Sequence, residues 1–303
     1  VRMLRESSRP HLVAGVVNQR LPFMAHSARV ACEEFDLVVD NPVYSTALFS
    51  TPKLPVDLAD HALGFYVSAL VKDGGTLQVG IGALGDAVVH ALALRHTDNN
   101  SYKRVLSSLH WPESKSKLMH RLGGEQPFQT GLYGATEMFV DGFLHLMQAG
   151  VLKRKVYDHW ALQRLIHQGK CNPEQLTASV LDDLASLGVR EIRPEDFAVL
   201  KRHGLLAAGV VLDGVHLVLP NGQRVLANLA ETSTRSALAE HGLGTELVNG
   251  TVLHAGFFLG PNAMYAALKN MPELQRNSIH MLGVEHVNQL DLNHALYSAQ
   301  RAH

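Results

Sequence analysis

TLQVGIGALGDAVVHAL, Thr76 to Leu92, runs an apolar strand into a glycine pair and then directly into a helix. Gly80 and Gly82 have no Cβ, so the backbone there can turn tightly or approach a ligand closely. A helix N-terminus just after such a turn adds partial positive charge and unpaired N–H groups. Two readings therefore stand together: a packing turn, or a platform for a phosphate, an oxyanion or a thioester carbonyl. Asp86 is placed to cap the helix AVVHALALRH.

Outward from this joint the same pattern recurs. HLVAGVVN (His11 to Asn18) and FDLVVD (Phe35 to Asp40) are short β-branched runs of the kind buried on both faces of a parallel sheet. PVDLADHALGFYVSALVKDGG predicts an amphipathic helix with Leu58, Ala62, Phe65 and Ala69 on one stripe, Asp57 as N-cap and Gly74 as the stop. GLYGATEMFVDGFLHLMQAG predicts a second strand-to-helix joint: Leu132 to Val140 extended, Asp141 as cap, Gly150 as stop. Strand and helix in alternation imply an α/β lobe with an open parallel sheet, whose ligands collect at the carboxyl ends of the strands.

From Tyr157 the texture changes. NPEQLTASVLDDLASLG, with Asn172 as N-cap, Pro173 at the first helical position and Gly188 as the stop, and RPEDFAVLKRHG, with Pro194 and Gly204, predict helices with no strands between them. GVHLVLPNGQRVLANL predicts a β-hairpin turning at Pro220, Asn221 and Gly222. GTVLHAGFFLG then reads as a strand running into glycine, with Pro261 opening a further helix. The implied organisation is an α/β lobe over 1–156, a helical insertion over 157–213, and from 214 to 303 the beginning of a second, incomplete lobe of similar style.

The 303 residues suffice for two lobes, and 46% hydrophobic with 18% charged residues fits a globular protein. A formal net charge of -1 leaves no electrostatic footprint for nucleic acid. No window reaches the ~18 consecutive apolar residues of a membrane span, and no basic-then-apolar leader opens the chain, so the expectation is a cytoplasmic protein. Val1 in place of Met implies a processed, trimmed or partial product. Cys32 and Cys171 match no zinc or redox spacing and are expected to be buried apolar groups in a reducing compartment. The 18 histidines fall in no H-E-x-x-H frame, so no metal site is expected.

Several chemistries can be weighed from the motifs. G-I-G-A-L-G matches a dinucleotide fingerprint, but the acid expected about 20 positions on would be Asp98, which closes no apolar strand. No G-x-S-x-G elbow and no G-x-x-x-x-G-K loop are present. In TEMFVDG, Glu137 interrupts an apolar run and is either a buried structural acid with hydrogen-bond partners or a polar group of the site. In HAGFFLGP, His254 and the backbone of Gly256 and Gly260 either pack in a strand and turn or face a cleft.

Taken in order, VVNQRLPFM (16–24), DGGTLQVGIGALGDAVVHAL (73–92), GLYGATEMFVDGFLHLMQAGVL (131–152) and LHAGFFLGPNAMYAALKNMPE (253–273) resemble acetyl-CoA hydrolase/transferase family proteins, the short-chain acyl-CoA transferases of the 4-hydroxybutyrate and succinate:acetate type. The resemblance implies paired CoA-transferase-like α/β lobes. It also implies coenzyme A thioester as substrate, with no tightly bound cofactor, and a small carboxylate or water as acceptor. It places Gly80, Ile81, Gly82 and Ala83 at the thioester loop, where backbone donors face the developing oxyanion. Gly256 and Gly260 are the binding candidates of the later segment, and Glu137 is the candidate catalytic carboxylate. The family's nucleophilic glutamate lies in a stretch of the form N-[ST]-A-x-E-x-D followed by a glycine-rich segment. Neither occurs here, and Glu273, Glu285 and Asp291 sit in no such context, so the sequence reads as cut off before the nucleophile. The alternatives are an acyl-CoA-binding or assembly protein without turnover, and a sugar-phosphate isomerase binding at Gly80 and Gly82. An incomplete second lobe exposing GFFLG implies a homo-oligomer.

Overall fold

A computed structural model describes residues 8–50, 52–109 and 113–283. Two compact units divide the chain, one built from the residues up to Arg154 together with those from Val252, the other from Lys155–Thr251.

In chain order the first unit begins with β1 (Ala14–Val16) and β2 (Leu37–Val39), which pair in parallel with each other alone. The expectation that these runs are buried on both faces is corrected: Val16 is 60%, Leu37 52% and Val38 45% exposed, because the pair joins no larger sheet. Helix α1 (Leu58–Leu70) follows, capped by the Asp57 side chain, which accepts from the Asp60 N–H at 2.7 Å. Its buried face is Phe65, Ser68 and Ala69, while Leu58, read as part of that face, is 88% exposed at the first turn. Strand β3 (Thr76–Leu77) leads into α2 (Ala83–Thr97), α3 (Asn99–Ser108) and α4 (Glu113–Leu122), and β4 (Tyr133–Phe139) leads into α5 (Asp141–Gln148).

The second unit holds α6 (Trp160–His167), α7 (Ser179–Ser186) and α8 (Pro194–Arg202), then an antiparallel sheet of β5 (Val211–Asp213), β6 (His216–Val218) and β7 (Arg224–Leu226), then α9 (Thr232–His241). The hairpin turn is as read, with Gly222 at φ 86° and the Asn221 side chain accepting from the Gln223 N–H. Helix α7 starts later than Asn172 and Pro173 suggest. The Asn172 side chain accepts from the Glu174 N–H at 3.1 Å and forms a local turn, so no helix begins there. Leu162, Leu165, Leu184, Leu200, Leu217 and Leu238 form this unit's own core, and Cys171 is buried beside them. Cys32, in the first unit, is exposed instead.

The chain then returns to the first unit as β8 (Leu253–Phe258), α10 (Asn262–Asn270), α11 (Glu273–Arg276) and β9 (Ile279–Met281). Strands β3, β4, β8 and β9 form one four-stranded parallel sheet in that order. The segment expected to open a second lobe thus lengthens the first sheet, while residues 214–251 belong with the helical insertion. The reason is register: Gly134 pairs with Leu253 and Phe139 with Phe258, so an apolar strand too short to build a core alone is buried against β4.

Two polar groups fix the loops that enter β3 and β4. The Asp73 carboxylate accepts from the N–H groups of Gly74, Gln129, Thr130 and Gly131, which ties the turn before β3 to the turn before β4. Arg95, 2% exposed on α2, donates to the carbonyls of Ser68, Val71 and Gln126 and lies 4.3 Å from the Phe128 ring. Burial pulls its guanidinium below the ordinary range, offset in part by Tyr102, Asp73 and Glu125.

In the second unit, burial lowers the pKa of His159 and His203 below the ordinary 6.5, with Asp196 and the Val248 carbonyl opposing it. His203 Nε2 accepts from the Asp158 N–H at 3.1 Å, a bond that needs the neutral ring. A histidine held neutral in the fold takes its proton more readily in the unfolded chain, so its contribution is complete above pH 6.5 and is lost as the pH falls from there through the folded pKa. Thermal unfolding is therefore expected at lower temperature at pH 5.5 than at pH 7.5, with the difference reduced in His203→Gln. Equal unfolding temperatures at both pH values would contradict this account.

Candidate functional site

Because β3, β4, β8 and β9 run parallel, their carboxyl ends share one edge of the sheet. Three strand-to-helix turns follow on that edge: 78–82 after β3, Val140 after β4, and 259–261 after β8. Among the described strands the order never reverses, so the sheet supplies no crevice of the kind formed at a topological switch point. Any site must come from the turns.

The glycine turn is open. Gly82 is the N-cap of α2 with φ 116° and ψ 167°, a conformation that strains any L side chain. A Cβ built on Gly80 or on Gly82 would meet nothing within 4 Å, and Ile81 between them is 54% exposed. Gly85 differs: its Cβ would lie 2.5 Å from the Gly80 carbonyl oxygen, so the first helical turn closes against the loop only with glycine there. The third glycine of G-I-G-A-L-G thus shapes the turn, while the first two leave backbone uncovered. No side chain caps α2, so its first N–H groups keep their donor capacity.

Asp86 and Asp141 are corrected as caps. The helix after the glycines begins at Ala83, three residues before Asp86, and the helix after β4 has Val140 at its N-cap with no side-chain bond. Both carboxylates instead meet Lys53, whose Nζ lies 3.0 Å from Asp86 Oδ1 and 3.0 Å from Asp141 Oδ2. Each acid lies in the first turn of its helix, where the helix dipole favours negative charge. Partial burial lowers the pKa of Lys53, but its hydrogen bonds and charge interactions with Asp141 and Asp86 outweigh that and raise it overall. The three groups border a cavity of about 310 Å³ lined also by His90 and His145, each four positions after its aspartate on the same helix face. This D-x-x-x-H repeat is legible as spacing, but Lys53, distant in sequence from both helices, carries no signal.

Glu137 lies on β4 and is exposed, which corrects the reading of a buried acid. Alternation does not separate it from its neighbours: Ala135 at 6% and Phe139 at 0% share its face and Thr136 at 2% lies on the opposite one, so β4 is open at Glu137 itself. Since Thr136 pairs with Ala255 and Met138 with Phe257, Glu137 stands level with Gly256 in the ladder, so two of the candidates are neighbours. Gly260 is buried, and a Cβ there would come within 2.5 Å of Met264 Sδ. His254, 2% exposed, follows the packed reading. Its Nδ1 is 2.6 Å from the Tyr133 hydroxyl, and its ring lies 4.9 Å from that of His280, its register partner on β9. His280 in turn lies 4.6 Å from His26, which holds φ 59°. Arg154, with its guanidinium 5.3 Å from the Tyr133 ring, is drawn down to about 10 by burial. Glu285 and Asp291 lie outside the described residues. Among the described residues no group of three or more His, Cys, Asp or Glu is placed to hold a metal, and no helix is long and apolar enough to cross a membrane.

No protein-family model and no curated protein matches the chain. Among solved structures, RipA from Yersinia pestis is similar at 15% identity and a TM-score of 0.43, over 92% of this chain and 35% of RipA. The 4-hydroxybutyrate CoA-transferase from Porphyromonas gingivalis is similar at 15% identity and a TM-score of 0.40, over 93% of this chain and 38% of that protein. The chain therefore spans little more than a third of the length of these structures.

The Lys53 bridge yields an expectation about the two helix ends. With the Lys53 side chain 47% exposed, solvent screening holds its contribution to about 1 kcal/mol. Lys53→Met should lower stability by about that amount in denaturant unfolding, and much less when Asp86→Asn and Asp141→Asn are already present. An equal loss in both backgrounds would show that the three groups are not coupled.

Proposed function

We propose that the chain carries the thioester-binding part of a short-chain acyl-CoA transferase or acyl-CoA hydrolase. The observation that carries the reading is the uncovered backbone of Gly80 and Gly82 directly before α2. An acyl carbonyl presented there meets N–H groups and the positive end of a helix rather than side chains, which suits the negative charge that develops when a thioester is attacked. The ordered resemblance of four sequence segments to the acetyl-CoA hydrolase/transferase family supports the choice of thioester over phosphate.

In this reading a glutamate carboxylate attacks the acyl-CoA carbonyl, forming an acyl-glutamyl anhydride and releasing CoA thiolate. The thiolate then attacks the glutamyl carbonyl, giving the glutamyl-CoA thioester and the free acyl carboxylate. An acceptor carboxylate repeats these steps in reverse to leave as its own CoA ester, or water hydrolyses the thioester to glutamate and free CoA. The gain is covalent catalysis, one difficult exchange divided into easier ones. The nucleophile of the resembled family lies in an N-[ST]-A-x-E-x-D stretch that these 303 residues do not contain. Glu137, exposed and level with Gly256, is assigned the lesser role of a polar group beside the bound thioester.

Gly80→Val separates binding from folding. Gly80 lies outside the left-handed region and a Cβ there meets nothing, so the substitution should leave unfolding nearly unchanged while filling the approach. Calorimetric titration with acetyl-CoA is expected to show saturable binding that Gly80→Val weakens by about tenfold or more, a loss of about 1.4 kcal/mol. Absence of binding to the unsubstituted chain, or equal binding by both, would overturn the assignment.

A further inference from the structure

The second unit contains a cavity that the thioester reading does not use. It has a volume of about 530 Å³, which is ample for a small molecule. Trp160, the first residue of α6, stands on its rim 48% exposed. A half-exposed indole offers a flat apolar face on which a planar ring can stack. Arg190 and Arg193 line the same cavity, and no hydrogen bond or ion pair to either side chain is found among the described residues. A pair of open guanidinium forks is suited to phosphate, which they can grip with two parallel hydrogen bonds each.

The cavity also carries acceptors. Glu191 and Asp196 line it, so an all-anionic ligand would be repelled on that side and a ligand with hydroxyl or amino donors is favoured. Beside Asp196 lies a buried group that lacks a partner: His159 is 4% exposed, and its Nε2 makes no hydrogen bond among the described residues. Its Nδ1 accepts from the Leu162 N–H at 3.3 Å, which leaves the ring proton on Nε2, 3.7 Å from Asp196 Oδ1. That separation is too long for a direct bond, and Nε2 is itself closed to solvent, so on this side the cavity is offered the Asp196 carboxylate and not the ring. One site therefore presents a stacking face, two phosphate forks and two carboxylates.

We propose that this cavity binds a nucleotide, with the base on Trp160, the phosphates on Arg190 and Arg193, and the ribose hydroxyls at Glu191 and Asp196. Each part of the ligand answers one feature of the cavity, and a simple anion or a simple aromatic ring would leave half of them unused. Every residue named belongs to the second unit.

The test is calorimetry and tryptophan fluorescence on the whole chain with ADP, adenosine, inorganic phosphate and coenzyme A as probes. ADP should bind saturably and quench Trp160, with adenosine and phosphate each weaker by about tenfold or more. Arg190→Gln with Arg193→Gln should weaken ADP by a similar factor and leave adenosine unchanged, and Trp160→Leu should weaken both ADP and adenosine. Coenzyme A binding as tightly as ADP, and equally reduced by these substitutions, would support the site and identify the nucleotide end of coenzyme A as the source; weaker coenzyme A binding would support it with a free nucleotide as the source. No ADP binding, or ADP binding indifferent to all three substitutions, would overturn it.

Discussion

The first unit depends on a conformation that glycine alone adopts freely, Gly82 at φ 116°. With it, the chain leaves β3, turns within a few residues and enters α2 with its first N–H groups uncovered. Any other residue there would push the backbone toward a more ordinary geometry and swing the helix start away from the strand. The two neighbouring glycines complete the turn in different ways: Gly85 lets the helix close on the Gly80 carbonyl, and Gly80 leaves open space outside. At the other end of these strands, Asp73 and Arg95 fix the loops that enter β3 and β4 by engaging their backbone groups.

The sequence is most legible where local rules decide. Asp57 caps its helix as its position implies, Gly150, Gly188 and Gly204 all take positive φ after helix ends, and the Pro220–Gly222 turn closes a hairpin. These features depend on a few adjacent residues, and backbone sterics or a short hydrogen bond settle them. The first β-branched runs are strands, as their composition indicates, but they are not buried, because burial depends on what pairs with them and local pattern cannot show it.

Long-range placement is the illegible part. LHAGFFLG looks like a new beginning because it opens with the same strand-and-glycine style as Thr76 to Gly82, yet it pairs with β4, far back along the chain. Nothing within its own residues distinguishes a third strand of one sheet from a first strand of another. The candidate site shows the same limit. Gly80, Ile81, Gly82 and Ala83 form one contiguous turn visible in a single motif, whereas Lys53, Asp86 and Asp141 meet only through the fold. In the sequence alone Asp86 and Asp141 read as caps, and that local reading hides the lysine that both of them meet.

The central claim is that the thioester meets backbone at the glycine turn. Assignment of the backbone amide resonances followed by titration with acetyl-CoA tests it most directly. The account predicts that the largest shifts fall on the N–H groups of Gly80, Ile81, Gly82 and Ala83, with smaller ones at the start of α2. Saturable shifts confined to other residues, with these four amides unmoved, would contradict it.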